Sequence, residues 1–265
     1  MNPDRVADAI VFVGWDPLDA QAFRVALQSM WETSPEVREG SIIVEPLVQA
    51  DLRRRGLYSR CFQTLANGQK MDLGDNCPHS TEFSYTRFLT PHLAMARGIT
   101  KALFVDADVM FLGNVADLFA LADAKKMVQV VKHDMVLDPD RGPKMGVFFQ
   151  SEYEKKNWSS VMLFPDARKL SDCLNPLTVS STHRNYLHQF GWVEDKAIGA
   201  LPEHWNWLEG YSKSAAAPCH SLVHFTRGTP DMIKDVDPVL GSRWDEFSDR
   251  AGSAMYPFGW GALMA

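Results

Sequence analysis

The chain has 265 residues, of which 46% are hydrophobic and 23% charged, a composition typical of a globular protein with a substantial core. Its formal net charge of −6 and its pI near 5.7 argue against nucleic-acid binding, because phosphate backbones are bound by basic surfaces. This length predicts one large α/β domain.

The N-terminal part of the chain has the pattern of a β-α-β unit. Residues 9–14 form a continuous apolar run, which is typical of a central parallel strand, and a turn at residues 14–17 follows its carboxyl end. Asp16 or Asp19 is placed to cap the helix that follows. A second strand is expected at residues 42–48, joined by a right-handed crossover. No G-x-G-x-x-G follows the first strand, so the fingerprint of dinucleotide binding is missing.

Two segments of different character come next. Residues 60–80 are rich in Gly, Asn, Asp and Pro, and we expect a long irregular loop of the kind that carries substrate specificity. Residues 84–96 predict a helix that carries Arg87 and is interrupted at Pro91.

The most informative stretch places two aspartates directly after an apolar run. Residues 102–105 predict a buried strand whose carboxyl end opens at a crevice, where α/β sheets bind ligands. Asp106 and Asp108 face the same side only if the backbone bends between them. A bent Asp-x-Asp presents two oxygen ligands to Mg²⁺ or Mn²⁺ and leaves positions for phosphate oxygens. The alternative is an ordinary turn in which Asp108 caps the next segment.

The remaining elements follow a less regular pattern. In chain order we expect a helix at 115–121, strands at 127–131, 145–149 and 160–164, helical structure from 165, a short helical stretch ending at 201–202, and a strand ending at His224. Small hydroxyl residues at 159 and 160 either allow a sugar to approach the backbone or belong to a plain loop. A single histidine is more often a core residue than a ligand, but together with two aspartates His224 makes a plausible Mn²⁺ site.

The order of these motifs resembles the glycogenin and bacterial lipopolysaccharide galactosyltransferase kind of glycosyltransferase. The motifs are Thr81-Glu-Phe-Ser-Tyr-Thr-Arg87-Phe-Leu-Thr-Pro91, Phe-Val-Asp106-Ala-Asp108-Val, Val161-Met-Leu-Phe, Leu201-Pro-Glu-His-Trp205-Asn206 and His224-Phe225. The resemblance implies a GT-A fold, an α/β architecture with a central, mostly parallel twisted sheet flanked by helices. It also implies a nucleotide-sugar donor, usually UDP-linked, Mn²⁺ or Mg²⁺ as cofactor, a glycan or glycolipid acceptor, and retention of anomeric configuration.

The same resemblance implies roles for individual residues. A single domain over residues 1–265 would have a nucleotide-binding half at about 1–115 and a sugar and acceptor half at about 116–265. The implied metal ligands are Asp106, Asp108 and His224. The implied donor-binding residues are Gly14, Trp15, Asp16, Arg87, Asp106, Ala107 and Asp108. Carboxylates near the donor sugar and the reacting carbon would be Asp134, Glu194 and Asp195.

Three departures mark the chain as a divergent member. The family usually has Asn-Ala-Gly-Val where this chain has Trp158-Ser-Ser-Val161. A lysine that normally follows the ligand histidine is missing, and Arg227 is the nearest cation that could take over its contact with the diphosphate. The turn at residues 14–17 also differs from the usual start of the family.

The sequence leaves open the reaction route and two alternative functions. Retention requires either a carboxylate nucleophile, with Asp134, Glu194 and Asp195 as candidates, or front-face attack in which the leaving phosphate takes the acceptor proton. A haloacid-dehalogenase-like phosphatase also uses Asp-x-Asp, but there the motif comes early and Thr or Val stands where this chain has Met110. A non-catalytic module that binds nucleotides or sugars is a third alternative.

The sequence also indicates where the protein works. No basic region followed by a long apolar segment starts the chain, and no stretch reaches the length of a membrane span. Four cysteines without C-x-x-C spacing favour reduced thiols. We therefore expect a cytoplasmic protein. The run Arg53-Arg54-Arg55 is compatible with peripheral association with an anionic membrane, although such runs are more often solvated helix faces.

Overall fold

The computed structural model describes residues 7–66, 69–134, 155–212 and 220–251. Its strands are β1 Ala9–Gly14, β2 Ile42–Leu47, β3 Phe62–Thr64, β4 Lys70–Asp72, β5 Pro78–His79, β6 Ala102–Val105, β7 Val109–Phe111, β8 Val128–Val130, β9 Val161–Phe164, β10 Ile198–Ala200, β11 Trp207–Leu208 and β12 Leu222–His224. Its helices are α1 Ala20–Thr33, α2 Pro35–Glu39, α3 Gln49–Arg54, α4 Phe83–Thr86, α5 Thr90–Ala96, α6 Val115–Ala120, α7 Pro176–Ser181, α8 Arg184–His188 and α9 Pro238–Ala251.

A six-stranded sheet with the order β10-β8-β9-β6-β1-β2 forms the centre of the fold. Strands β2, β1 and β6 are parallel, β10 is parallel to β8, and β9 runs antiparallel between β6 and β8. Every residue of β1 and β6 is buried, which explains their continuous apolar sequences, because strands covered on both faces need no alternation. The predicted α/β fold with a mostly parallel central sheet is confirmed.

A second sheet has three strands in the order β11-β12-β7, and its strand β7 follows β6 of the first sheet in the sequence. Strand β12 is antiparallel to β7, and this register pairs His224 with Val109. The predicted strand that ends at His224 is therefore confirmed. A separate apolar cluster joins this sheet to helices α1 and α9, with Met110, Trp207 and Trp244 among its buried members.

Within residues 60–80, three short strands form a small antiparallel sheet, β3-β4-β5, so the prediction of one long irregular loop is wrong. Arg60 holds this sheet from within. Its guanidinium pairs with Asp72 at 2.8 Å and Asp75 at 2.9 Å and lies 4.0 Å from the centre of the Tyr85 ring. It also donates to the carbonyl of Thr182 at 2.6 Å, which ties the small sheet to the segment between α7 and α8. Strands of two or three residues are too short to show an alternating pattern, which explains why they were not predicted.

Other elements differ from the predictions in detail. The helix expected at 84–96 is divided into α4, a 3-10 turn at Arg87–Leu89 and α5, and Pro91 lies in the first turn of α5. The helical stretch expected before residue 202 is strand β10, preceded by a single 3-10 turn. The helical structure expected from 165 begins as a 3-10 turn at Ala167–Lys169. The strand expected at 145–149 lies outside the described residues.

The arginine run at 53–55 is largely engaged in the protein's own contacts. Arg53 donates to the carbonyl of Arg60 at 2.5 Å and lies 4.8 Å from the centre of the Tyr58 ring, and Arg54 pairs with Asp51. Membrane association through this run stays a prediction. Among the described residues, none of the helices has the length and apolarity that crossing a membrane would require.

Gly14 ends β1 directly against the ring of Phe83. A Cβ at this position would lie 2.6 Å from Phe83 Cγ, closer than two carbons can approach, so the ring would have to move. We therefore expect Gly14→Ala to lower the free energy of unfolding by ~1–3 kcal/mol, the usual cost of overpacking. Urea denaturation measures this change.

Gly241, within α9, is the matched control, because a Cβ there would meet nothing within 4 Å. Gly241→Ala should raise the free energy of unfolding by about 0.5–1 kcal/mol, since alanine favours the helix. Equal stability of the two variants would contradict a packing requirement at Gly14.

Candidate active site

Three buried side chains converge where the six-stranded sheet meets the β11-β12-β7 sheet. Asp106 and Asp108 follow β6, and His224 ends β12. Nε2 of His224 lies 3.2 Å from Oδ1 of Asp108 and 4.0 Å from Oδ2 of Asp106, and one ligand atom from each residue fits within 4.8 Å of the others. The structure thus brings together all three residues predicted as metal ligands.

The bend between the two aspartates is held by backbone hydrogen bonds from both sides. The Asp106 amide donates to the carbonyl of Ser160 at 2.9 Å, just before β9. The carbonyl of Asp108 accepts from the Phe225 amide at 2.9 Å, just after β12. These bonds fix the conformation in which both carboxylates reach one side.

Arg87 is the cation that faces this pair. Its Nη1 lies 2.9 Å from Oδ1 of Asp106, and the guanidinium also donates to the carbonyls of Phe83 and Ser159 at 3.2 and 3.0 Å. One guanidinium balances one of the two carboxylate charges. The second carboxylate charge is left over, which suits a divalent cation.

The donor set fits Mn²⁺ or Mg²⁺. Nδ1 of His224 lies 3.0 Å from Oδ1 of Asn206, while Nε2 is buried and makes no hydrogen bond within the described part of the chain. Two carboxylates and an imidazole nitrogen directed at one point are ligands that Mn²⁺ accepts readily. Asp106, Asp108 and His224 are therefore the residues that would hold the ion.

Trp15 and Asp16, which were predicted to bind the donor, make contacts within the protein. Oδ1 of Asp16 accepts from the Leu18 amide at 2.9 Å and Oδ2 from the Glu82 amide at 2.7 Å, so this side chain caps one turn and anchors the segment before α4. Trp15 packs with its edge toward Phe23, with ring centres 5.0 Å apart. Their contact with a donor, like that of Gly14, stays a prediction.

Arg227 is engaged by two carboxylates. Its Nη2 lies 2.9 Å from Oε2 of the buried Glu209, and its Nη1 lies 2.9 Å from Oδ2 of the exposed Asp235. The guanidinium passes over Gly210, where a Cβ would lie 2.5 Å from Nε. Its predicted contact with a diphosphate stays a prediction.

The three carboxylates predicted near the reacting carbon lie at the surface. Asp134 is exposed after β8 and lines a cavity of about 460 Å³ together with His133 and Glu203. The side chains of Glu194 and Asp195 are 73% and 81% exposed and pair with lysines. The hydrogen bond from Lys155 holds the pKa of Asp195 below its usual value. None of the three is buried as the metal-ligand candidates are.

Histidines that the sequence analysis did not single out surround the site. Burial and the neighbouring His224 lower the pKa of His133 to about 4. Behind Arg87, Nδ1 of His188 lies 3.3 Å from Oγ of Ser159, and burial with the charge of Arg87 holds the pKa of His188 well below its usual value. The position of His133 at the end of a predicted strand could have indicated its place near the site. No feature of the sequence indicated that of His188, because its partners are distant along the chain.

Comparison with known proteins gives the family. Residues 50–170 match the family described as Glycosyl transferase family 8. Protein CDI of Arabidopsis thaliana is 37% identical over 234 residues, which cover 86% of this chain and 82% of that relative. The chain belongs to glycosyl transferase family 8. Membership favours a glycosyltransferase over the phosphatase that an Asp-x-Asp pair alone left open.

Solved structures confirm the fold of this family 8 glycosyltransferase. The apo structure of the bifunctional glycosyltransferase WbbM is similar at a TM-score of 0.55 and 12% identity, covering 100% of this chain and 52% of WbbM. Apo GlyE of Streptococcus pneumoniae TIGR4 has a TM-score of 0.54 and 14% sequence identity, covering 98% of this chain and 62% of GlyE. The Q189E mutant of LgtC has a TM-score of 0.50 and 15% sequence identity, covering 96% of this chain and 99% of LgtC. The chain thus spans about half of WbbM.

The buried pair of Arg87 with Asp106 gives a stability prediction. Replacing Arg87 with methionine leaves a buried carboxylate without its cation, and we expect the free energy of unfolding to fall by ~3–5 kcal/mol. Arg97→Met is the matched control, because the Arg97–Glu45 pair is half exposed and its loss should cost at most about 1 kcal/mol. Chemical denaturation of both variants measures the difference, and equal losses would contradict this account.

His188 gives a prediction for the pH dependence of stability. Because the pKa of His188 is lowered in the folded state, the unfolded chain takes up a proton below pH ~6.5 that the folded protein does not. The free energy of unfolding should therefore fall with decreasing pH, by about 1.4 kcal/mol per pH unit for each such proton. His188→Gln should lower that slope by about 1.4 kcal/mol per pH unit, the contribution of one proton. Denaturation between neutral and mildly acidic pH tests this, and an unchanged slope would refute it.

Proposed function

We propose that this protein is a metal-dependent glycosyltransferase that moves a sugar from a nucleotide-sugar donor, a UDP-sugar, to a glycan or glycolipid acceptor with retention. The observation that supports the proposal is the buried convergence of Asp106, Asp108 and His224 in a family 8 chain. Nothing in an ordinary strand-end turn requires a histidine from another sheet to face two carboxylates.

The positions of four residues support their proposed roles around the metal ion. When bound, Mn²⁺ or Mg²⁺ supplies positive charge to the departing diphosphate. Asp106 and Asp108 hold the ion together with His224, and Arg87 fixes the orientation of Asp106. Ala107, between the two aspartates, has no bulky side chain to keep a ligand from the backbone.

Arg227 requires a rearrangement before it can serve the donor. Its guanidinium is shared between Glu209 and Asp235, and the Asp235 side chain is 96% exposed. A diphosphate that approaches would compete with Asp235, because an exposed ion pair contributes little stability. We therefore propose that Arg227 exchanges Asp235 for a phosphate oxygen while Glu209 keeps it in place.

The position of the carboxylates bears on the reaction route. Asp134 lines the cavity with His133 and Glu203, whereas Glu194 and Asp195 are paired with lysines at the surface. These positions support Asp134 as the residue that contacts the donor sugar or attacks its anomeric carbon. Front-face attack is the second route, and there Asp134 would bind sugar hydroxyls instead.

The proposed division of the chain agrees with the origin of the ligands. Asp106 and Asp108 come from the half at about 1–115, and His224 comes from the half at about 116–265. Binding of the ion therefore joins the part proposed to hold the nucleotide to the part proposed to hold the sugar and acceptor.

Thermal unfolding with nucleoside diphosphates and Mn²⁺ tests the proposal. UDP with Mn²⁺ should raise the midpoint, since a ligand at about 100 times its Kd adds about 2.7 kcal/mol of stability. Asp108→Asn should abolish this shift and the release of UDP from UDP-sugars. Asp117→Asn, which removes an exposed carboxylate on α6, should change neither.

The outcomes separate the alternatives. No stabilisation by any UDP compound would count against the proposed donor. Stabilisation without UDP release from any UDP-sugar would instead favour the non-catalytic binding module.

A further inference from the structure

A chain of hydrogen bonds leads from the turn before β9 to the ring of His224. It begins at the backbone carbonyl of Asn157, which lies 2.6 Å from Oγ of Ser160 and 3.3 Å from Nδ2 of Asn206. A carbonyl oxygen can only accept hydrogen bonds. Both neighbouring atoms must therefore point a hydrogen at it.

This anchor determines how Ser160 and Asn206 are oriented. A serine hydroxyl has a single hydrogen, and that of Ser160 is directed at the Asn157 carbonyl. Toward Asn206 the hydroxyl must accept, and it lies 2.9 Å from Nδ2. The end of the Asn206 amide that faces Ser160 is thus its NH₂ group, an assignment that follows from the hydrogen-bond network.

The opposite end of the same amide determines the state of the imidazole. Oδ1 of Asn206 lies 3.0 Å from Nδ1 of His224, and an amide oxygen can only accept. The hydrogen must therefore be on Nδ1. In the neutral ring the lone pair is then on Nε2, the nitrogen that lies 3.2 Å from Asp108 and 4.0 Å from Asp106.

Burial makes this orientation strict. Asn206 is 0%, His224 1% and Ser160 2% exposed, so solvent water does not reach these groups to replace a lost partner. The opposite tautomer would place two acceptors, Nδ1 and the amide oxygen, against each other, and its Nε2 would have no lone pair with which to bind a metal ion.

We infer that Asn206 is a positioning residue that holds His224 in the Nδ1–H tautomer and so prepares Nε2 to bind the metal ion. The inference rests on the proposed metal site for its purpose, but the tautomer itself is a property of the metal-free protein. It also gives the hydroxyl of Ser160 a role in the site: it orients Asn206.

The tautomer is measured directly in the wild-type protein. Metal-free protein labelled with ¹⁵N-histidine is studied by NMR at about pH 8.5, where an ordinary imidazole is neutral. Long-range couplings distinguish Nδ1–H from Nε2–H, and comparison with His224→Gln assigns the signal among the eight histidines. We expect Nδ1–H at His224. A ring without a hydrogen on Nδ1 would overturn the inference.

Metal affinity gives a second, independent measurement. Titration with Mn²⁺, followed by the electron paramagnetic resonance of the free ion, should show a roughly 10- to 100-fold weaker affinity in Asn206→Ala, the usual effect of losing a partner of a metal-binding histidine. Ser160→Ala should weaken it less, because the Asn157 carbonyl still orients the amide. Ser34→Ala is the matched control: it removes another buried hydroxyl, which accepts from the Val115 amide, and should leave the affinity unchanged.

The outcomes distinguish this inference from the proposed function. Unchanged Mn²⁺ affinity in Asn206→Ala would overturn the positioning role, and if that variant does not fold, the wild-type tautomer and Ser160→Ala decide. Absence of Mn²⁺ binding in the wild type would count against the proposed function instead, while the NMR result would still decide the tautomer.

Discussion

The structure depends on holding two carboxylates, Asp106 and Asp108, a few ångströms apart and away from water. Like charges repel strongly where the dielectric constant is low, and burial removes the water that would otherwise solvate them. Arg87 relieves part of this cost from one side. The imidazole of His224 closes the group from the side of the second sheet. Such an arrangement suits the proposed divalent cation.

The six-stranded sheet and the β11-β12-β7 sheet make this arrangement rigid. The Asp-x-Asp turn joins β6 of the six-stranded sheet to β7 of the smaller one, so its geometry is determined by both. The turn at residues 157–160 connects the remaining parts: its carbonyls and hydroxyls meet the amide of Asp106, the guanidinium of Arg87 and the amide of Asn206. This segment thus supports three side chains of the candidate site.

Sequence and structure agree where the physical signal is local. Strands β1 and β6 were predictable because burial on both faces imposes continuous apolar runs, and the metal cluster followed from a resemblance carried by several motifs. Other features depend on partners far along the chain. The ion pairs of Arg60 stabilise strands too short to show a pattern, and the capture of Arg227 by Glu209 and Asp235 was not visible from its own neighbourhood. The contact between Asn206 and His224 likewise exists only after two sheets have assembled.

The position of Arg60 has a mechanical consequence. One buried guanidinium contacts the β3-β4-β5 sheet through Asp72 and the end of α7 through the Thr182 carbonyl. Displacing either element would break bonds that also hold the other, so the two are mechanically coupled and form one rigid unit. Lysine cannot supply such a coupling, because a single ammonium group cannot span the carboxylates, the carbonyl and the Tyr85 ring at once.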